Sequence, residues 1–283
     1  MHGNYQHCTS LVREADRDRY LATLFAPADK RADLFALYAF DVEVARIGDN
    51  AREPMAGEIR LQWWREALSG ERDGEAAAHP VASALRATFS HYSFSSAPLL
   101  ELLDARTFDL FHEPFVSVDA LELYAIRTRS PIFALACGIL GGGAPPPDLA
   151  TLDASIAATI GDSLRNFARH AARRQIYLPL DVIGRHSFDL EGVIAGQSSP
   201  ALLSALSEMR SLARRHLGEA ENALNLLPAE MTPAFLPLAL IGPMLLDMDA
   251  SGYEPFRWRP AAPWRRQWRL WRAARNTRRI FAV

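Results

Sequence analysis

Two stretches of this 283-residue chain concentrate side chains able to do chemistry at helical spacing. In Asp162-Ser-Leu-Arg-Asn-Phe-Ala-Arg-His-Ala-Ala-Arg-Arg-Gln-Ile-Tyr-Leu-Pro179, Asn166 and His170 stand four apart and share a helix face, as do Arg165 and Arg169, with Arg173 one turn on. Carboxylates at that spacing would aim at one point and could hold Mg²⁺. An amide offers one neutral oxygen instead, and an imidazole nitrogen suits a hard cation poorly. Guanidinium groups fit another task, because their forks match phosphate oxygens without a metal. The second stretch, Asp41-Val-Glu-Val-Ala-Arg-Ile-Gly-Asp49, sets Asp41 and Asp49 two turns apart. That is about 12 Å along a helix, too far for the two to chelate one ion.

The first stretch ends in Gln175-Ile-Tyr-Leu-Pro179, and here the chain resembles the second aspartate-rich segment of the squalene/phytoene synthase family. That segment reads Asn-Ile-Leu-Arg-Asp-x-x-x-Asp, then a basic stretch, then Tyr-Leu-Pro, so the family's two aspartates fall on Asn166 and His170. Ala28 to Phe40 resembles the entry to the family's first aspartate helix, whose metal frame falls on Ala45, Arg46 and Asp49. Both halves of the metal site are altered. Leu61-Gln-Trp-Trp-Arg-Glu-Ala-Leu68, His79-Pro-Val81 and Leu121-Glu-Leu-Tyr124 extend the resemblance across most of the chain. Tyr20 to Pro27, Asp41 to Ala45, Glu53 to Trp64 and Pro233 to Pro237 resemble the branch that contains the complex I assembly factor. The resemblance implies an all-α isoprenoid-synthase-type bundle acting as a non-catalytic assembly factor with protein partners, respiratory complex subunits among them, and with no cofactor. Two alternatives stay open. One is a head-to-head prenyl transferase using Mg²⁺ on displaced ligands Asp41, Asp49 and Asp162. The other is a metal-free isoprenoid or lipid binder whose pocket would use Arg46, Asp49, Arg165, Asn166, Arg169, His170 and Tyr177.

The elements that must position these residues read as helices. Apolar residues at spacings of three and four predict helices over 19–26, 28–48, 58–68 with its exit at Gly70, and 98–112. Pro80 opens another, Asp119 caps one over 120–129, and Pro131 starts a separate segment to Leu140. Gly70 to Ala78 reads as a loop, and Gly141-Gly-Gly-Ala-Pro-Pro-Pro147 as a linker. Helices over 148–172, 199–225 and 232–247 complete a domain over 1–256, with no run of alternating strand character. Residues 131–143 are too short to span a membrane and 234–248 are interrupted by Pro237 and Pro243, so both read as core helices.

Half of the chain is apolar, enough for a sizeable core, and the net charge of −2 argues against a general nucleic-acid binder. Cys8 and Cys137 are too few and too far apart for a disulfide framework or a structural zinc site. The N-terminus shows neither the charged start nor the apolar run of a secretory signal, so a cytoplasmic place is expected, with peripheral contact at the inner membrane. Gly-x-Ser-x-Gly and glycine-rich phosphate loops are both absent from the sequence.

The last segment, 257–283, interleaves tryptophan with arginine. Trp264, Trp268 and Trp271 follow an i, i+4, i+7 pattern after Pro263, with Arg265, Arg266, Arg269, Arg272, Arg275, Arg278 and Arg279 between and beyond them. Two readings stay open: tryptophans packed on the body with arginines in solvent, or an aromatic face on an anionic membrane or acidic partner.

Overall fold

A computed structural model describes residues 2–51, 53–111, 113–143 and 148–276. The helices are α1 (His2–Ala15), α2 (Arg17–Thr23), α3 (Arg31–Asn50), α4 (Pro54–Ser69), α5 (Asp73–Ala78), α6 (Pro80–Tyr92), α7 (Ala97–Arg106), α8 (Val118–Leu140), α9 (Asp148–Arg165), α10 (Phe167–Ala171), α11 (Leu180–His186), α12 (Leu190–Ile194), α13 (Pro200–Leu224), α14 (Thr232–Phe235), α15 (Ile241–Asp247) and α16 (Pro263–Arg275). No strand occurs among the described residues. Ala144 to Pro147 of the expected linker, and Arg278 and Arg279 of the tail, lie outside them.

The buried run Leu34, Phe35, Ala36, Leu37, Tyr38, Ala39 and Phe40 leaves α3 no solvent face over two turns, so α3 is the central post. α1 and α6 pack on one side of it and α8 on another, while α9 lies between α8 and α13. At its C-terminal end α3 passes very close to a 3-10 turn at Thr107–Leu110. A methyl group at Gly48 would come within 2.9 Å of Asp109, so this approach requires glycine.

Several expected boundaries move. α1 was not foreseen, because only Cys8 and Val12 are buried along it, too sparse a stripe to show a period. Residues 73–78 form α5 rather than continuing a loop; Gly70, at φ 90°, ends α4 where expected. The helix expected over 98–112 is α-helical only to Arg106. α8 runs unbroken through Pro131 and is capped by Ser117, whose side chain accepts from the Ala120 N–H, not by Asp119. Proline removes one rung of the ladder, but burial of Ile132, Leu135, Ala136 and Ile139 outweighs that local preference. As one piece, α8 is long and apolar enough to cross a membrane, as is Ala229–Asp247, yet half of each such window is buried inside the fold. The helix expected over 148–172 stops at Arg165 and resumes as α10 beyond Asn166.

Candidate functional site

The break at Asn166 decides what the altered metal segment can present. Asn166 has φ −102° and ψ 11°, and its Nδ2 donates back to the Asp162 carbonyl at 2.9 Å. The amide serves its own helix end. Beyond it, the His170 ring stands edge-on to Tyr177 at 4.8 Å between centroids. Burial and the neighbouring Arg169 cation lower the His170 imidazole to about 4, and its buried Nδ1 has no hydrogen-bond partner.

Asn166, His170, Tyr177 and Arg169 line a polar cavity of about 820 Å³ open to solvent, with Ala45, Gly48 and Asp49 of α3 across from them. Arg46 is not there. It points to a groove on another side of α3, with Glu43, Arg60, Trp63, Trp64 and His79, so it is no cation in the metal frame. The cation beside Asp49 is Arg173, at 3.1 Å. Arg165 and Arg169 do not act together either, because the break turns Arg165 toward a different cavity.

That second cavity, of about 740 Å³, has an apolar wall that includes Ile132, Phe133, Ala158, Ala234, Pro237 and Ile241. Its mouth is ionic. Arg19 of α2 donates to Asp16 at 2.6 Å and to Asp41 at 2.7 Å. Arg106 reaches Asp41 at 3.5 Å and Asp109 at 3.1 Å, and also donates to the Tyr124 hydroxyl, which donates to Asp109 at 2.6 Å. Asp162 takes Arg129 and, at 2.5 Å, Arg165; Arg165 continues to Asp18 at 3.3 Å, and Asp18 also takes Arg266 of α16. Burial alone would push the Asp162 carboxyl up, but Arg165 and Arg129 outweigh it and hold it down at about 2. Asp41 is lowered in the same way, with Arg19 and Arg106 prevailing over burial.

Mg²⁺ seeks about six oxygens in near-octahedral array. The residues at this site do not fit it. Asp41 faces the apolar cavity while Asp49 faces the polar one, and Asp41, Asp49, Asp109 and Asp162 each already hold a guanidinium. A divalent ion there would have to displace buried arginines or sit against them. Among the described residues no group of three or more His, Cys, Asp or Glu could hold a metal ion.

The arginines that take over this role, Arg19, Arg106 and Arg129, were not singled out from the sequence. One signal was present: Arg106 falls inside the apolar stripe Leu99, Leu102, Leu103, Leu110, and an arginine on a buried face must find carboxylates.

Residues 12–272 match the sequence profile of the squalene/phytoene synthase family. The complex I assembly factor 6 of Rattus norvegicus is 30% identical over 253 residues, covering 89% of this chain and 76% of that protein. The 15-cis-phytoene synthase of Synechocystis is 23% identical over 272 residues, covering 92% and 80%. The fold matches the crystal structure of squalene synthase HpnC from Alicyclobacillus acidocaldarius with a TM-score of 0.77 at 22% identity, over 90% of this chain and 96% of that one. The chain belongs to the squalene/phytoene synthase family.

Proposed function

We propose that this family member is a non-catalytic assembly factor that acts on protein partners in the biogenesis of respiratory complex I. The observation that carries the reading is the replacement of metal by arginine. Carboxylates around the two cavities are neutralised within the chain by Arg19, Arg106, Arg129, Arg165 and Arg173, and Asn166 and His170 stand in the family's metal frame. A fold whose substrate diphosphate would be drawn off by Mg²⁺ thereby becomes one stapled by its own ion pairs. The relatives named as complex I assembly factors support the biological setting. On this reading the chain works from the cytoplasm at the inner membrane.

Deleting the gene in the native host tests it. Complex I, followed by native gel and by NADH oxidation in membranes, is expected to fall and to return with the wild-type gene. Normal complex I in the deletion strain would overturn the assembly role. Formation of a C30 or C40 hydrocarbon by purified protein from farnesyl or geranylgeranyl diphosphate with Mg²⁺ would overturn the non-catalytic one.

A second reading rests on the cavity walled by Ile132, Phe133, Ala158 and Ile241, an apolar surface with Arg19, Arg129 and Arg165 in the same lining. It makes the chain a metal-free isoprenoid or lipid carrier. Solvent extraction and mass spectrometry of protein purified from its own host separates the two, because a carrier releases a stoichiometric lipid.

A further inference from the structure

α16 is anchored by one side and empty on the other. Leu270 and Ala273 are buried against the body, and Arg266 on the same side reaches Asp18. Trp264 is 66% exposed and Trp268 53% exposed, Trp268 stacks on Trp271 at 4.8 Å between centroids, and Arg275 lies 3.8 Å over the Trp271 ring. At about 100° per residue the tryptophan face is centred roughly 150° round the helix from the anchored side. The helix thus packs on the body through Leu270 and Ala273, while Trp264 and Trp268 are exposed and Trp271 is half-buried.

The charges beside that face are unbalanced. α16 contains no acidic residue, and among the described residues Arg265, Arg269 and Arg272 have no ion pair. Arg265 and Arg272 project from one flank of the tryptophan face, while Arg269 turns toward the body and, with Arg259, Arg265 and Asp247, lines a cleft between α15 and α16 whose wall includes the exposed Leu246. The single carboxylate in that cleft, Asp247, accepts from the Trp258 indole N–H and has no ion pair with these arginines, so the helix keeps an excess of positive charge that an anionic surface would complement. Indole rings with an apolar body and a polar N–H, flanked by arginines whose stems can bend back toward water, match the headgroup layer of a bilayer.

We propose that the Trp264–Trp268–Trp271 face of α16 docks on an anionic phospholipid surface, with Arg265 and Arg272 meeting lipid phosphates. α16 then lies in the plane of the interface while the body stays in water, held to the helix by Leu270, Ala273 and the Arg266–Asp18 pair. The docking is independent of the assembly role and stands if that role fails.

Sedimentation of the full chain with vesicles tests this, using phosphatidylcholine alone and phosphatidylcholine mixed with phosphatidylglycerol. Binding is expected only to the mixed vesicles, with a blue shift of tryptophan emission and loss of binding in high salt. Arg265→Gln and Arg272→Gln should each weaken binding about fivefold. Trp264→Ala with Trp268→Ala should abolish binding and leave the melting temperature nearly unchanged, because both rings are exposed in the free protein. Wild type that ignores mixed vesicles overturns the proposal, whether or not it binds an acidic peptide. So does equal binding to both kinds of vesicle. If the double tryptophan variant unfolds, the arginine variants decide alone: unchanged affinity in both overturns the proposal.

Discussion

At the scale of single residues, the chemistry depends on which charges face one another across helices. Arg106 is buried and holds Asp41, Asp109 and Tyr124 together, so Arg106→Ala leaves Asp109 without its cation and Asp41 with Arg19 alone. A loss of about 3–5 kcal/mol in urea unfolding is expected; a change within the error of the measurement would show that the network is dispensable. Glu43 gives a pH signature. Burial, only partly offset by Arg46, raises its carboxyl to about 7 from an ordinary 4.5. Between those two values the folded chain binds more protons than the unfolded one, so this group makes stability fall as pH rises through the window. Glu43→Gln should remove that part of the slope and stabilise the protein at neutral pH, as read from melting temperatures measured across the window. A slope unchanged by the substitution would mean that Glu43 is ionised in the fold. None of this was legible from spacing alone. Asp41 and Asp49 are visible in the sequence, but their partners are contributed by α2, α7 and the segment after α10.

At the scale of elements, the close passage of α3 over the 3-10 turn sets the polar cavity. Gly48→Ala would push against the Asp109 backbone, where no flexible side chain can give way. A loss of about 1–3 kcal/mol is expected, together with a disturbed Arg106–Asp109–Tyr124 cluster; thermal unfolding measures the first and a crystal structure of the variant the second. Long periodic helices such as α3, α9 and α13 could be read from sequence because one apolar stripe dictates each of them. α1 and α5 could not, since their buried stripes are two residues and one residue wide. Pro131 misled for a physical reason. The restriction it places on its neighbours is local and modest, whereas α8 packs against three helices, α7, α9 and α3.

At the scale of the molecule, the synthase fold is retained around a site whose electrostatics have changed. Calorimetric titration with Mg²⁺ in the presence of a diphosphate analogue should give no stoichiometric binding, because the cavity carboxylates hold guanidinium groups. Asn166→Asp with His170→Asp should leave the protein inactive toward farnesyl diphosphate, since Ala45 still supplies no ligand from α3 and Arg173 still occupies Asp49. Activity restored by those two changes alone would show the first segment to be intact. The sequence by itself determined the helical class, the family resemblance and the missing carboxylates at 45, 46, 166 and 170, because these follow from residue identity and from periods that a single helix imposes on its own chain. Only the tertiary structure decided that Arg46 faces away from the cavity, that Arg165 and Arg169 part at a helix break, and that Trp264 and Trp268 of α16 face outward. Each of those outcomes depends on the rotation of one helix against another. That rotation is set by the sum of many packing contacts, of which any one sequence window contains only half.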